Sequence, residues 1–94
     1  LFARQVEALA RPGDAVLALS TSGNSANVVA ALESASALGL LTIGLLGRDG
    51  GKCRSLCRHA LVVPHGDTQR IQETHIFAGH VLVELVEELL EAEP

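Results

Sequence analysis

Three short apolar runs, each followed by a segment with helical spacing, constrain the fold of this chain more than any other feature. The runs are Ala15–Leu19, Leu40–Leu46 and His59–Val63. Continuous apolar runs of this length, bounded by glycine, proline and aspartate, are typical of strands in a parallel sheet. Strands that alternate with helices form right-handed crossovers, and such sheets bind ligands at the carboxyl ends of their strands. The sequence therefore predicts an α/β fold with a parallel sheet, in which Ala15–Leu19 is buried on both faces.

The first run leads into a loop rich in hydroxyl groups, Ser20-Thr21-Ser22-Gly23-Asn24-Ser25, called the hydroxyl loop below. A helix is predicted to follow, with Ser25 or Asn24 as its N-cap, and its first N–H groups attract an anion. Gly23 allows the backbone to approach a ligand closely. A P-loop would need a lysine after the glycine, and none follows, which favours a phosphate monoester over a nucleoside triphosphate. An ordinary strand-to-helix turn is the alternative, since serine, glycine and asparagine populate such turns for conformational reasons.

Helical spacing also marks the two ends of the chain and one short segment between the runs. Residues Leu1–Leu9 and Lys52–Arg58 are predicted helices, and a long helix follows the loop His65–Gln69. Because that loop follows the third strand, it is expected to face the same crevice as the hydroxyl loop. The apolar stripe of the long helix is wider than a surface helix usually buries, which predicts a second packing partner, most simply another subunit.

The composition excludes several classes of function. The chain has 94 residues, enough for one domain, and a net charge of −4. Five glutamates close to the C-terminus account for that charge: Glu84, Glu87, Glu88, Glu91 and Glu93. Without a basic patch, direct contact with nucleic acid is not expected. No apolar stretch is long enough for a bilayer and no signal-peptide pattern opens the chain, so a cytoplasmic protein that binds no membrane is predicted.

Cys53 and Cys57 are the only cysteines, and His59 lies close to them in the sequence. A metal site is conceivable, but this pattern lacks a fourth ligand, and the spacing equally suits one turn of a short helix. We therefore favour two free thiols in a reducing compartment.

The hydroxyl loop combines with later motifs into a pattern of a known family. These motifs are Gly47-Arg48-Asp49-Gly50-Gly51-Lys52, Val63-Pro64, and Asp67-Thr68-Gln69-Arg70-Ile71-Gln72-Glu73-Thr74-His75 followed by His80. Together they resemble the C-terminal half of sugar isomerase (SIS) domains of the phosphoheptose isomerase type. The resemblance implies that residues 1–94 are the C-terminal part of a single SIS domain, a three-layer, flavodoxin-like or Rossmann-like parallel sheet flanked by helices.

Enzymes of that type convert sedoheptulose 7-phosphate to a manno-heptose 7-phosphate for surface polysaccharide, working as homotetramers with sites at subunit interfaces. The resemblance implies specific roles for residues of this chain. The phosphate is expected on Ser20, Thr21, Ser22 and Ser25. Gln72 and His80 are assigned to the reacting end of the sugar, and Thr68, Asp67 and Gln72 to the sugar itself. In some members the glutamine and the histidine also coordinate zinc. Acid–base catalysis is favoured over zinc ligation for His80, because Gln72 and His80 lie about 12 Å apart along a helix axis.

The family's earlier half carries an Asn-Gly-Gly-Ser-type loop and a second acid–base glutamate, and neither is found in these residues. Two other functions therefore stay open. Similar SIS proteins bind a bacterial replication initiator without catalysis, and others sense phosphosugars without changing them.

Overall fold

The computed structural model describes residues 1–92. Glu93, one of the five glutamates close to the C-terminus, and Pro94 lie outside the described part of the chain. Helices and strands alternate along it as the sequence predicts. In chain order they are α1 (Phe2–Leu9), β1 (Ala15–Ser20), α2 (Ala26–Ala37), β2 (Leu41–Gly47), α3 (Gly51–Leu56), β3 (His59–Val63) and α4 (Thr68–Ala92).

The three strands form one parallel sheet in the order β1-β2-β3. In this register Ser20 of β1 pairs with Leu46 of β2, and Leu46 pairs with Val62 of β3. All three strands therefore end at the same edge, where the hydroxyl loop begins. The predicted α/β fold with a parallel sheet is confirmed.

The helices α2 and α3 cover one face of the sheet and contact each other, while α1 packs against α2. Both crossovers run in the same direction along the sheet, and right-handed connections then place both crossover helices on one face. The core between this face and the helices contains Ala18, Leu32, Leu46 and Cys53, and the last three are fully buried.

The long helix α4 contacts the sheet at β2. A side chain at Gly47 would meet Ile71 of α4, whereas one at Gly44 would meet Cys57 at the end of α3. Because side chains alternate along a strand, these two contacts place α4 on the face opposite α3. The arrangement has three layers, helices on either side of the sheet.

The outer strand β1 is covered on one face alone, and the prediction that it is buried on both faces is wrong for the described residues. Ala18 is 8% exposed, but Leu17 and Leu19 on the opposite face are 46% and 52% exposed. The reason is topological, because α4 crosses β2 and both crossover helices lie on the other side. Within residues 1–92, none of the helices combines the length and apolar character that crossing a bilayer requires.

Candidate functional site

The hydroxyl loop turns back on itself at the carboxyl end of β1. The Oγ of Ser20, which is buried, accepts a hydrogen bond from the Gly23 N–H at 3.0 Å, and the Oγ of Ser22 accepts one from the Asn24 N–H at 3.1 Å. These bonds use hydroxyl oxygens as acceptors, so the O–H groups of both serines stay available as donors. The loop is thus shaped internally and still presents donors to a ligand.

The N-terminus of α2 adds backbone donors at the same point. Ser25 is the N-cap residue, as predicted, but its side chain makes no capping hydrogen bond. The first N–H of this helix that bonds within the helix is that of Val29, to the Ser25 carbonyl oxygen at 2.9 Å. The three preceding N–H groups, those of residues 26–28, form no hydrogen bond within residues 1–92. Unpaired N–H groups and the helix dipole together favour an anion here.

Contact with the loop that follows β2 holds the hydroxyl loop in place. Gly23 has a φ of +72°, and a side chain at this position would collide with the carbonyl oxygen of Gly50. The Cys53 N–H donates to the Gly23 carbonyl oxygen at 2.9 Å. Glycine is therefore required at position 23 both for its backbone angle and for the close approach of the two loops.

The hydroxyl loop and α4 together line one cleft of about 590 Å³. All four predicted phosphate residues and one predicted sugar residue line it: Ser20, Thr21, Ser22, Ser25 and Gln72. The other lining residues are Phe2, Leu19, Val28, His75 and Ile76. No Asp, Glu, Lys or Arg from the described part of the chain lines this cleft. Its volume suits a small metabolite, and its polar groups are hydroxyls, an amide and an imidazole.

The remaining predicted sugar-binding residues lie elsewhere and have other partners. Asp67 caps α4, because its Oδ1 accepts a hydrogen bond from the Gln69 N–H at 2.9 Å. The Oγ1 of Thr68 accepts one from the Arg48 guanidinium at 3.3 Å. Neither Asp67 nor Thr68 is among the residues that line the cleft, and no other residue of the loop before α4 lines it.

His80 is also outside the cleft that residues 1–92 form. Its side chain is exposed on α4, eight residues after Gln72. The structure brings Gln72 to the hydroxyl loop but does not bring His80 there.

Gln72 and His80 do not by themselves fit a zinc ion. Catalytic zinc sites take three protein ligands, and these residues offer two. Among residues 1–92 there is no group of three or more His, Cys, Asp or Glu side chains that could hold a metal ion. Cys53 and Cys57 are free thiols, and burial raises the pKa of each.

His75 is a lining residue that sequence reasoning did not select. It is 3% exposed and lies one turn after Gln72 on the same helix. The signal in the sequence was a histidine within an otherwise apolar stripe that includes Ile71 and Ala78. That spacing shows which face of α4 carries the residue but not what the face contacts.

Comparison with known proteins agrees with this arrangement. The family described as SIS domain matches residues 1–47, which include the hydroxyl loop and the first two strands. The chain belongs to the SIS domain family. Phosphoheptose isomerases from Pelobacter propionicus and Trichlorobacter lovleyi are 60% and 56% identical to this SIS chain over 90 and 88 residues, respectively. These alignments cover 96% and 94% of the chain but 48% and 45% of the relatives.

Two solved structures share the SIS fold with this chain. A phosphoheptose isomerase from Neisseria gonorrhoeae superimposes with a TM-score of 0.87 at 44% identity, covering 90% of this chain and 49% of that one. A phosphoheptose isomerase from Francisella tularensis gives 0.86 at 34% identity, with 93% and 49% covered. The chain therefore spans about half the length of the relatives it matches, and the resemblance to the SIS family seen in the sequence is confirmed.

Proposed function

We propose that the protein containing this chain is a phosphoheptose isomerase, which converts sedoheptulose 7-phosphate to D-glycero-D-manno-heptose 7-phosphate for surface polysaccharide. One observation carries the proposal: the hydroxyl loop and Gln72 line the same cleft. The relatives that are 60% and 56% identical bear the name of this enzyme. The activity needs a phosphate-binding site at a distance from the reacting carbons, and the cleft offers hydrogen-bond donors for both ends of such a substrate.

Four hydroxyl residues would hold the phosphate: Ser20, Thr21, Ser22 and Ser25. Their donors and the N-terminus of α2 would balance its charge without a cationic side chain. Binding energy gained at the phosphate can then be used to orient the other end of the sugar. Gln72, which lines the same cleft from α4, would hydrogen-bond the oxygens near the carbonyl carbon.

Isomerisation moves a proton between neighbouring carbons through an enediol, so it needs acid–base groups. His80 is our candidate for one of them, because an imidazole ring can both donate and accept a proton. Its exposed position on α4 means that the reacting end would be completed by groups beyond residues 1–92. We expect the second acid–base group, a glutamate in the family, and the groups that would complete any zinc site to come from the same source.

An oligomeric state, a homotetramer as in the family, belongs to this proposal. From Ile76 onward, α4 exposes a series of large apolar side chains: Ile76, Phe77, Val83, Leu85, Val86, Leu89 and Leu90. Apolar area on this scale is typical of a surface that packs against another chain or segment. We also propose a cytoplasmic location, which is supported by the two free thiols.

The test is turnover by the full-length protein. It should convert sedoheptulose 7-phosphate, and His80→Ala should lower kcat by about 10²- to 10⁴-fold, the contribution typical of an acid–base group. His59→Ala is the matched control, because His59 is also exposed but lies at the start of β3. Binding of sugar phosphate without turnover would instead indicate a phosphosugar sensor. Tight binding of a replication initiator without turnover would indicate an adaptor.

A further inference from the structure

Among residues 1–92, His75 is the one buried titratable side chain that lines the cleft, and the proposed chemistry does not use it. Its Nε2 lies 2.7 Å from the carbonyl oxygen of Leu46. A carbonyl oxygen can only accept a hydrogen bond, so Nε2 carries the hydrogen and the contact selects one tautomer of the ring. This bond joins the first half of α4 to the carboxyl end of β2.

Leu46 connects this bond to the phosphate side of the cleft. It is the register partner of Ser20, the first residue of the hydroxyl loop. Its side chain is fully buried in the core, so its carbonyl group is a rigid point of attachment. His75 therefore attaches α4 to the strand adjacent to the hydroxyl loop.

Gln72 and His75 lie three residues apart and so share one face of α4. Gln72 is exposed, and its side chain forms no hydrogen bond with the other residues of the 1–92 segment. The position of this side chain therefore depends on the rotation of the helix. Ile71, fully buried against Gly47, stops α4 from moving away from the sheet, but an apolar contact does not select an angle as a directional hydrogen bond does.

We propose that His75 is a positioning residue of the site: its Nε2–H bond to Leu46 sets the rotation of α4 and so holds Gln72 in the cleft that the hydroxyl loop also lines. This inference rests on the proposed function for its substrate. It adds that the distance between the hydroxyl loop and the Gln72 amide is set by a side chain that need not touch the substrate.

Two substitutions separate the parts of this role. His75→Gln can still present an amide N–H close to the position of Nε2, whereas the side chain of His75→Asn is too short to reach Leu46. In the full-length protein, His75→Asn should lower kcat/KM for sedoheptulose 7-phosphate on the order of a hundredfold, the cost of a misplacement of about 1 Å. Its Kd for inorganic phosphate should stay within about twofold, because the hydroxyl loop is unchanged, and His75→Gln should recover most of the activity. His59→Asn is the control.

A nitrogen-15 NMR spectrum of the histidine rings in the wild-type protein measures the tautomer of His75 independently. We expect the Nε2–H tautomer. An Nδ1–H tautomer, full activity of His75→Asn, or equal losses in His75→Asn and His75→Gln would overturn the inference. If His75→Asn does not fold, the tautomer and the activity of His75→Gln decide.

Should the wild-type protein show no turnover, the proposed function fails. The positioning role is then judged on sugar-phosphate affinity. Weaker binding of sedoheptulose 7-phosphate by His75→Asn, with phosphate affinity unchanged, would support it, and unchanged binding of both would refute it.

Discussion

The side-chain oxygen of Asn24 accepts a hydrogen bond from the backbone N–H of Lys52 at 2.9 Å. This bond joins the hydroxyl loop to the first turn of α3, which belongs to the next βα unit. Asn24 therefore does not cap α2, as one reading of the sequence allowed, but connects two loops at the same edge of the sheet. This loop pair forms the end of the cleft that we propose binds the phosphate, and α4 carries Gln72, which we propose binds the sugar.

The loop pair gives the first prediction. Gly23→Ala should destabilise the protein by more than 1 kcal/mol, because a left-handed residue with a side chain costs about 1–2 kcal/mol and the new methyl group would also meet Gly50. Phosphate affinity should fall as the loop is displaced. Chemical denaturation and a phosphate titration measure the two effects. Gly66→Ala is the control, since nothing lies within 4 Å of a side chain there. Equal stability of the two variants would refute the contact.

The second prediction concerns Ser25, whose hydroxyl makes no capping bond. Ser25→Ala should weaken phosphate binding by about 1.5–3 kcal/mol, the value of a hydrogen bond to a charged group, and leave the unfolding midpoint nearly unchanged. Ser20→Ala should lower both the phosphate affinity and the unfolding midpoint, because the Ser20 hydroxyl also accepts a hydrogen bond from the Gly23 N–H. Calorimetric titration with phosphate and thermal unfolding separate these outcomes. A stable Ser25→Ala protein with wild-type affinity and KM would show that the Ser25 hydroxyl does not hold the phosphate.

The third prediction concerns the exposed face of α4. Leu85→Asp should dissociate the oligomer, because a charge placed in an apolar interface loses its water without gaining a partner. Leu38→Asp is the matched control, since Leu38 and Leu85 are 51% and 50% exposed and Leu38 lies at the end of α2. Analytical ultracentrifugation of the full-length protein gives the mass. If Leu85→Asp sediments like the wild type, this side chain is covered within one subunit or stays in solvent.

The fourth prediction concerns stability at alkaline pH. Burial raises the pKa of Cys53, and burial together with the nearby Cys53 raises that of Cys57. Both groups are neutral when protonated, so the folded state holds its protons to higher pH than the unfolded state does. Their contribution to stability is complete below the unfolded thiol pKa of about 8.5 and is lost as pH rises through the folded-state values.

The free energy of unfolding should therefore fall more steeply above that pH in the wild type than in Cys53→Ala/Cys57→Ala. Urea unfolding at several pH values measures the slopes. Identical slopes for the two proteins would contradict the assignment. Cys53 should also resist alkylation until the protein unfolds, because it is fully buried.

Much of this fold follows from local pattern. The strand His59–Val63 has the predicted bounds, β1 extends one residue beyond its prediction, and α1 and α3 differ from theirs by one or two residues. Runs of apolar residues and the glycines between them are sufficient to predict the bounds of these elements, because the periods of strands and helices are local properties of the sequence. The hydroxyl loop was identified for the same reason, since its serines, glycine and asparagine are consecutive in the chain.

The tertiary structure alone decided which distant residues share the cleft. Helical spacing placed Gln72, His75 and His80 at known angles around α4, but not the rotation of the helix against the sheet, and that rotation brings Gln72 and His75 to the hydroxyl loop while leaving His80 exposed. The exposed face of β1 has a similar origin, because strand order and crossover direction decide which face the helices cover. Sequence determines the elements through interactions between near neighbours, whereas the site arises from packing between residues that are far apart in the chain.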